Sequence, residues 1–435
     1  MPSSWLKIIV FYGLYFSVRL GAEPEPIEGP PLLFTKDFIP EELQTGERFE
    51  LAPLGHVVNF GYEFRLTSDF GEFDIRGIDM LATRVLEIAV LEKLEEISKT
   101  KAFATSFSKA LKDPVVNSWS VARRPISLAR RLPGGILRYL QGKFYSVKRG
   151  SEKVIAKTKR NRNKGREKEK GEDVENVDGT VKKAGTTPLK LSQKHFGFEK
   201  AKRAWARRLK VDPYSTNEYL QFELSRIAWA STVGSFAGEF GIPANAVLSY
   251  TLKTRELVWN QSATELERRN FVSLGKMGVA HSALLIFNGL DTYTLSEKTL
   301  VVLTLENLEV EGRLNLVQLL MEAESRDEAR MMVKLVTIFG NYHHLVHPII
   351  CFSIRRGLAI AELEDGSMIL PLALDYLHWT PEITDALLSD ELKGEDRTLW
   401  IEGIASTIAK RRLEQSNWKL EEKSSETFKW LESEL

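Results

Sequence analysis

The chain has 435 residues, 43% of them apolar and 27% charged, with nine Trp and 22 Phe. That is enough apolar material for packed cores in two or three domains, and it excludes a generally disordered or collagen-like chain. The net charge of +1 hides a sharp asymmetry: residues 121–210 carry 27 Lys and Arg against 8 Asp and Glu, and the remainder carries 33 against 51. One basic block and an acidic remainder point to an anionic partner or to a clasp between the two parts. The single cysteine, Cys351, sits in an apolar run and reads as a small buried hydrophobe; it excludes an internal disulfide.

Residues 1–22 have the order of a secretory signal peptide: Lys7, an uncharged apolar run at 8–18, then Leu20-Gly21-Ala22. The run is shorter than the roughly 20 residues needed to cross a bilayer. An uncleaved anchor is the alternative, since Arg19 lies close to the cut. Residues 23–57 begin with Glu23-Pro24-Glu25-Pro26 and Gly29-Pro30-Pro31 and are expected to form an extended arm.

Residues 58–150 are expected to form a hairpin–helix unit with a basic amphipathic segment. Tyr62 to Leu66 and Phe73 to Arg76 alternate apolar and polar around Ser68-Asp69-Phe70-Gly71, which reads as a β-hairpin. Asp69-Phe70-Gly71 has no other kinase element beside it. Ile78, Leu81, Val85 and Ile88 keep helical spacing, predicting a helix over 78–97. Pro125 and Pro133-Gly134-Gly135 interrupt helical spacing further along the chain. Beyond them Leu137, Leu140, Phe144 and Val147 form one stripe, with Arg138, Lys143, Lys148 and Arg149 on the other faces. These eight residues are the candidates for binding an anionic surface, because a helix of this kind can lower its apolar stripe into a head-group layer. A solvated linker with flanking helices is the plainest reading of the basic block, an anionic membrane surface comes next, and nucleic acid last, since the export signal argues against it.

Residues 151–197 are rich in Lys, Arg, Glu and Gly and poor in aromatics, and are expected to be a disordered basic linker. Residues 198–435 are expected to be a helical domain. Four Ser/Thr-x-x-Glu capping boxes start at Ser215, Ser262, Thr294 and Ser325. One further hairpin is expected, with Leu358 to Ala361 and Met368 to Leu370 flanking Glu364-Asp365-Gly366. Residues 399–418 read as a closing helix. The expected fold class is therefore mainly α, with a small hairpin–helix unit, a linker and a larger helical domain containing one hairpin.

Chemical motifs are sparse. His343, His344 and His347 form His-His-x-x-His; on a helix His343 and His347 would share a face and could hold one metal ion. The Glu that a zinc protease places after its first His is replaced by His344, and the plainer reading is a helix end, with Pro348 closing it. Asp375 and His378 are spaced to meet on a helical face, either as an Asp–His couple or as a structural contact. Asn260-Gln261-Ser262 matches a glycosylation sequon. There is no Gly-x-Gly-x-x-Gly, Walker loop or Cys-x-x-Cys, so no cofactor is expected.

Several segments resemble an uncharacterised group of bacterial exported proteins with no assigned activity. They are Gly71-Glu72-Phe73-Asp74-Ile75 with Leu86-Glu87-Ile88; Pro133-Gly134-Gly135-Ile136; Ala201-Lys202-Arg203, Val211-Asp212-Pro213-Tyr214 and Ala228-Trp229-Ala230; Leu374-Asp375-Tyr376-Leu377-His378-Trp379-Thr380; and residues 409–418. The resemblance implies a bacterial envelope setting and transfers no catalytic residue. The resulting expectation is an exported, periplasmic or envelope protein, non-enzymatic, peripheral on an anionic membrane or on an envelope protein partner. A metal-dependent hydrolase using His343 and His347 is the alternative. The sequence does not set the oligomeric state.

Overall fold

The computed structural model describes residues 27–112, 188–233, 251–394 and 396–434. The expected signal peptide, the basic helix with Arg138, Lys143, Lys148, Arg149, Leu137, Leu140, Phe144 and Val147, and the expected linker as far as residue 187 lie outside the described residues. The described residues are 54% helix and 19% strand, with sheets of five and six strands, so the expected mainly α fold is corrected to a mixed α and β architecture.

The first sheet is built from β1 (Leu32–Phe34), β2 (Thr45–Gly46), β3 (Phe49–Leu51), β4 (Leu54–Val58), β5 (Gly61–Ser68) and β6 (Gly71–Arg76), all antiparallel. The β5–β6 hairpin is the one the alternation predicts, with Phe64 opposite Ile75 and Leu66 opposite Phe73. The four strands before it fall in the expected arm, where the segments are too short to show a period. β5 pairs with β4 along its first half and β3 along its second, and its other edge takes β6.

Helix α1 (Ile78–Ser98) lies against this sheet. Leu81 and Ile88 pack on it, while Leu91, Leu94 and Ile97 turn to a second core. That core is shared with α2 (Lys101–Ala110), α3 (Pro188–Arg208) and α4 (Glu218–Val233). α3 includes the last part of the segment expected to be linker. Next come α5 (Leu252–Asn260), α6 (Ala263–Lys276), α7 (His281–Asn288), α8 (Leu295–Glu306), α9 (Arg313–Met321) and α10 (Arg326–Leu345). α8 is buried on nearly every side, as the run Leu300-Val301-Val302-Leu303 requires.

The second sheet has the order β13 (Trp418–Glu421), β11 (Arg397–Ile401), β9 (Met368–Leu372), β8 (Leu358–Glu362) and β7 (Cys351–Arg355). β7, β8 and β9 form an antiparallel meander; β9, β11 and β13 are parallel. The crossovers contain α11 (Pro381–Leu387) and α12 (Thr407–Gln415), and β10 (Tyr376–Leu377) pairs in parallel with β12 (Ile404–Ala405). The expected closing helix over 399–418 is thus corrected to strand, helix and strand. β9 is buried at every residue, so its two covered faces leave no alternation to read. α13 (Ser424–Glu434) closes the chain against α10, with Phe428 stacked on Trp400 at 5.1 Å.

Candidate functional site

The two-residue turn between β4 and β5 has positive φ at both Asn59 (48°) and Phe60 (65°). Such turns match the twist of a hairpin, and a bulky residue there is uncommon. Phe60 is 2% exposed, and its ring enters the core of the second sheet rather than its own. Its carbonyl accepts the N–H groups of Asp375 and Tyr376, each at 3.0 Å. The hairpin tip is a plug set into the C-terminal unit.

A network of charges surrounds the plug. Gly77, at φ 83°, turns β6 into α1 and brings Asp79 into the first helical turn, where a carboxylate meets the positive end of the helix dipole. A methyl group on Gly77 would lie 2.6 Å from Asp79 Oδ1. Arg330 and Lys334, four apart on α10, reach the same carboxylate: Arg330 Nη2 lies 3.1 Å from Asp79 Oδ2, and Lys334 Nζ 3.0 Å from Oδ1. Lys334 Nζ is also 3.7 Å from Asp375 Oδ1, and Asp375 Oδ2 accepts the Tyr62 N–H at 3.0 Å. Arg76 adds a rim, donating to Glu63 and, at 2.6 Å, to Asp327. Arg330 Nη1 also donates to the Arg76 carbonyl at 3.2 Å. A cavity of about 80 Å³ lies among Asn59, Gly61, Arg76, Gly77, Arg330 and Lys334, with room for a few waters.

Burial opposes ionisation of Asp79, yet Lys334 and Arg330 hold its carboxyl well below the usual range. Burial likewise works against the Lys334 ammonium, and Asp79 and Asp375 keep its pKa above the ordinary lysine value. An amine held charged in this way is not a nucleophile at neutral pH. Asp375 is pushed up by burial, against the pull of Lys334. The side chains of Asp79, Arg330 and Lys334 keep 30%, 16% and 21% exposure, so water screens these pairs and each contributes less than a fully buried one. The arrangement fastens three parts of the chain together: the first sheet with α1, helix α10, and the segment after β9.

A strap reinforces the junction. Glu28 donates its N–H to the Trp379 carbonyl at 2.8 Å, and its carboxylate accepts Trp379 N–H at 2.6 Å and Ser406 Oγ–H at 2.5 Å. Ser406 Oγ in turn caps α12 through Ala409 N–H, so it is structural.

A second polar cluster joins α1 to the helices after it. The buried Glu87 accepts from Arg84, Ser215 and Asn217, and Asp212 accepts from Ser296 Oγ at 2.6 Å and Tyr214 N–H at 2.8 Å. Burial pushes the Asp212 carboxyl up to about 6, against these donors.

The histidines expected to share a helical face do not, because α10 ends at Leu345 and His347 lies beyond it. His343 Nδ1 accepts the Ile349 N–H at 3.0 Å, and His347 Nδ1 lies 3.2 Å from the Pro348 carbonyl. Among the described residues no group of three or more His, Cys, Asp or Glu is placed to hold a metal ion. Asp375 turns toward Tyr62 and Lys334, while the His378 ring packs 4.7 Å from Phe60, so the Asp–His couple is not made. Cys351 is half-buried. Sequence reasoning missed Asp79, Arg330 and Lys334; the available signal was two cations four apart on α10.

Comparison with protein families, with curated proteins and with solved structures finds no match to this chain.

Proposed function

We propose that this chain is a non-enzymatic cell-envelope protein that associates peripherally with an anionic membrane surface. The observation carrying this reading is how the basic block is attached. Most of it lies between Lys112 and Pro188, that is between α2 and α3, and the described parts of both helices pack on α4. Ala110 and Phe198 share one buried cluster with Ala228 and Trp229 of α4, and the Phe198 and Trp229 rings stack at 4.3 Å. The cationic segment that contains Leu137, Leu140, Phe144 and Val147 is thus joined to the fold at helices on both sides. Two further features support the reading. The charged groups of the junction satisfy one another across the fold, as a scaffold requires, and residues 1–22 read as an export signal. No helix among the described residues is long and apolar enough to cross a membrane.

The test is Phe144→Asp in the full chain. Binding to anionic vesicles should fall while the melting temperature stays unchanged. Unchanged binding, or an unfolded variant in which the stripe proves to be core, contradicts the proposal.

A further inference from the structure

Ile27, Leu32 and Phe34 stand out at the N-terminal edge, with exposures of 65%, 56% and 55%. Leu32 and Phe34 are two apart on β1 and share the outward face of the sheet, while Leu33 between them packs into the core. β1 is an edge strand, and among the described residues its partner is β4. Lys36 Nζ sits 5.5 Å from the centre of the Phe34 ring. An open groove of about 400 Å³ runs from Phe34 and Lys36 to Gln44 and Glu50.

The apolar run at 8–18 is joined to this corner by only residues 19–26, which span at most about 28 Å when fully extended. The point of departure is fixed as well. Glu28 is held by three hydrogen bonds to Trp379 and Ser406, so the chain before it leaves the fold at one place, with the exposed Leu32 and Phe34 a few residues further along. The uncleaved-anchor reading of residues 1–22 therefore keeps this corner within that reach of the bilayer.

We propose that the corner formed by Ile27, Leu32 and Phe34 rests on a lipid surface. Leu32 and Phe34 enter the boundary between head groups and acyl chains, and Lys36 meets lipid phosphate. This inference rests on the membrane reading above. It adds a second contact, built on a strand edge rather than on the basic block, and so fixes how the protein is oriented on the membrane.

The test uses the full chain with Cys351→Ser and a fluorophore on a single new cysteine, either Phe34→Cys or, as a control, Glu364→Cys in the exposed β8–β9 turn. Each protein is mixed with phosphatidylcholine–phosphatidylglycerol vesicles carrying nitroxide-labelled lipid. Strong quenching at position 34, at least threefold above that at 364, is expected. Bound protein with equally weak quenching at both positions overturns this inference and leaves the membrane reading intact. Failure of both labelled proteins and the unlabelled chain to bind vesicles overturns both. A companion variant, Leu32→Asp with Phe34→Asp, changes only exposed side chains. It should keep the melting temperature and lose the quenching of a label placed at Lys36→Cys; full retention of that quenching also overturns the inference.

Discussion

The carboxylate of Asp375 accepts the backbone N–H of Tyr62 at 3.0 Å, joining residues 313 positions apart. The same residue donates its own N–H to the Phe60 carbonyl and lies beside Lys334, so it fastens the first sheet to the second by backbone and side chain together. Asp375→Ala leaves the Tyr62 N–H without its acceptor and removes one partner of Lys334. A loss of about 2 kcal/mol is expected in urea denaturation at pH 7, and roughly half that for Asp375→Asn, whose oxygen still accepts. A loss below about 0.5 kcal/mol for the alanine variant would show that the contact does not hold the units together.

Two glycines separate close approach from backbone strain. A methyl on Gly403 would overlap the carbonyl of Asp375, which the β10–β12 pairing prevents from moving aside. Gly403→Ala is expected to cost more than about 2 kcal/mol. Gly366 has φ 82° but nothing near the site of a methyl, so Gly366→Ala should cost only about 1 kcal/mol. The reverse ranking in thermal denaturation would contradict the packing described around Asp375.

Asp212 makes stability depend on pH. Its carboxyl is raised by burial from the ordinary 3.8 to about 6. Between these values the unfolded chain gives up the proton and the folded chain keeps it. The contribution is fully present below about pH 4 and is lost as pH rises toward 6, by about 3 kcal/mol in all. Asp212→Asn keeps an oxygen to accept from Ser296 and Tyr214 and cannot ionise. Its stability relative to the wild type should improve by roughly 2–3 kcal/mol between pH 4 and pH 7. A constant difference over that range would contradict the assignment.

His343 works in the opposite direction. Burial, and after it His344, lowers the imidazole pKa, and Nδ1 serves as acceptor for Ile349 only when neutral. The folded state therefore disfavours the proton, and this contribution, present above the ordinary value of 6.5, is lost as pH falls. An NMR titration should place the His343 midpoint below 6.5. A midpoint above it would mean that a counter-charge faces the ring.

Local signals in the sequence survive folding where the contact is also local. The β5–β6 and β8–β9 hairpins and α1 form where alternation, turn residues and helical spacing place them. Ser262 and Thr294 make complete capping boxes. Ser325 caps α10, but the Glu328 carboxylate accepts from Glu324 N–H rather than from the cap. At Ser215 the reading slips by two residues: Asn217 Oδ1 takes the cap, accepting from Tyr219 and Leu220, and Ser215 Oγ turns to Glu87. What stayed hidden depends on distant partners. The parallel strands β9, β11 and β13 pair only after two crossovers and show no alternation at the buried core strand. The charged junction gathers Asp79, Arg330, Lys334 and Asp375 from three segments, the first of them 251 residues before the next, and a lone Asp two residues after a glycine or two cations on a helix carry no mark of that meeting.

Vesicle binding by the native chain across a salt series tests the membrane account most directly. Each Lys or Arg near an anionic surface contributes about 1 kcal/mol, and that attraction is screened within roughly a Debye length. Sedimentation with phosphatidylglycerol-containing vesicles is expected at low salt, with progressive release as salt is added and little binding to neutral phosphatidylcholine. Equal binding to both vesicle types at every salt concentration, or none to either, would contradict it.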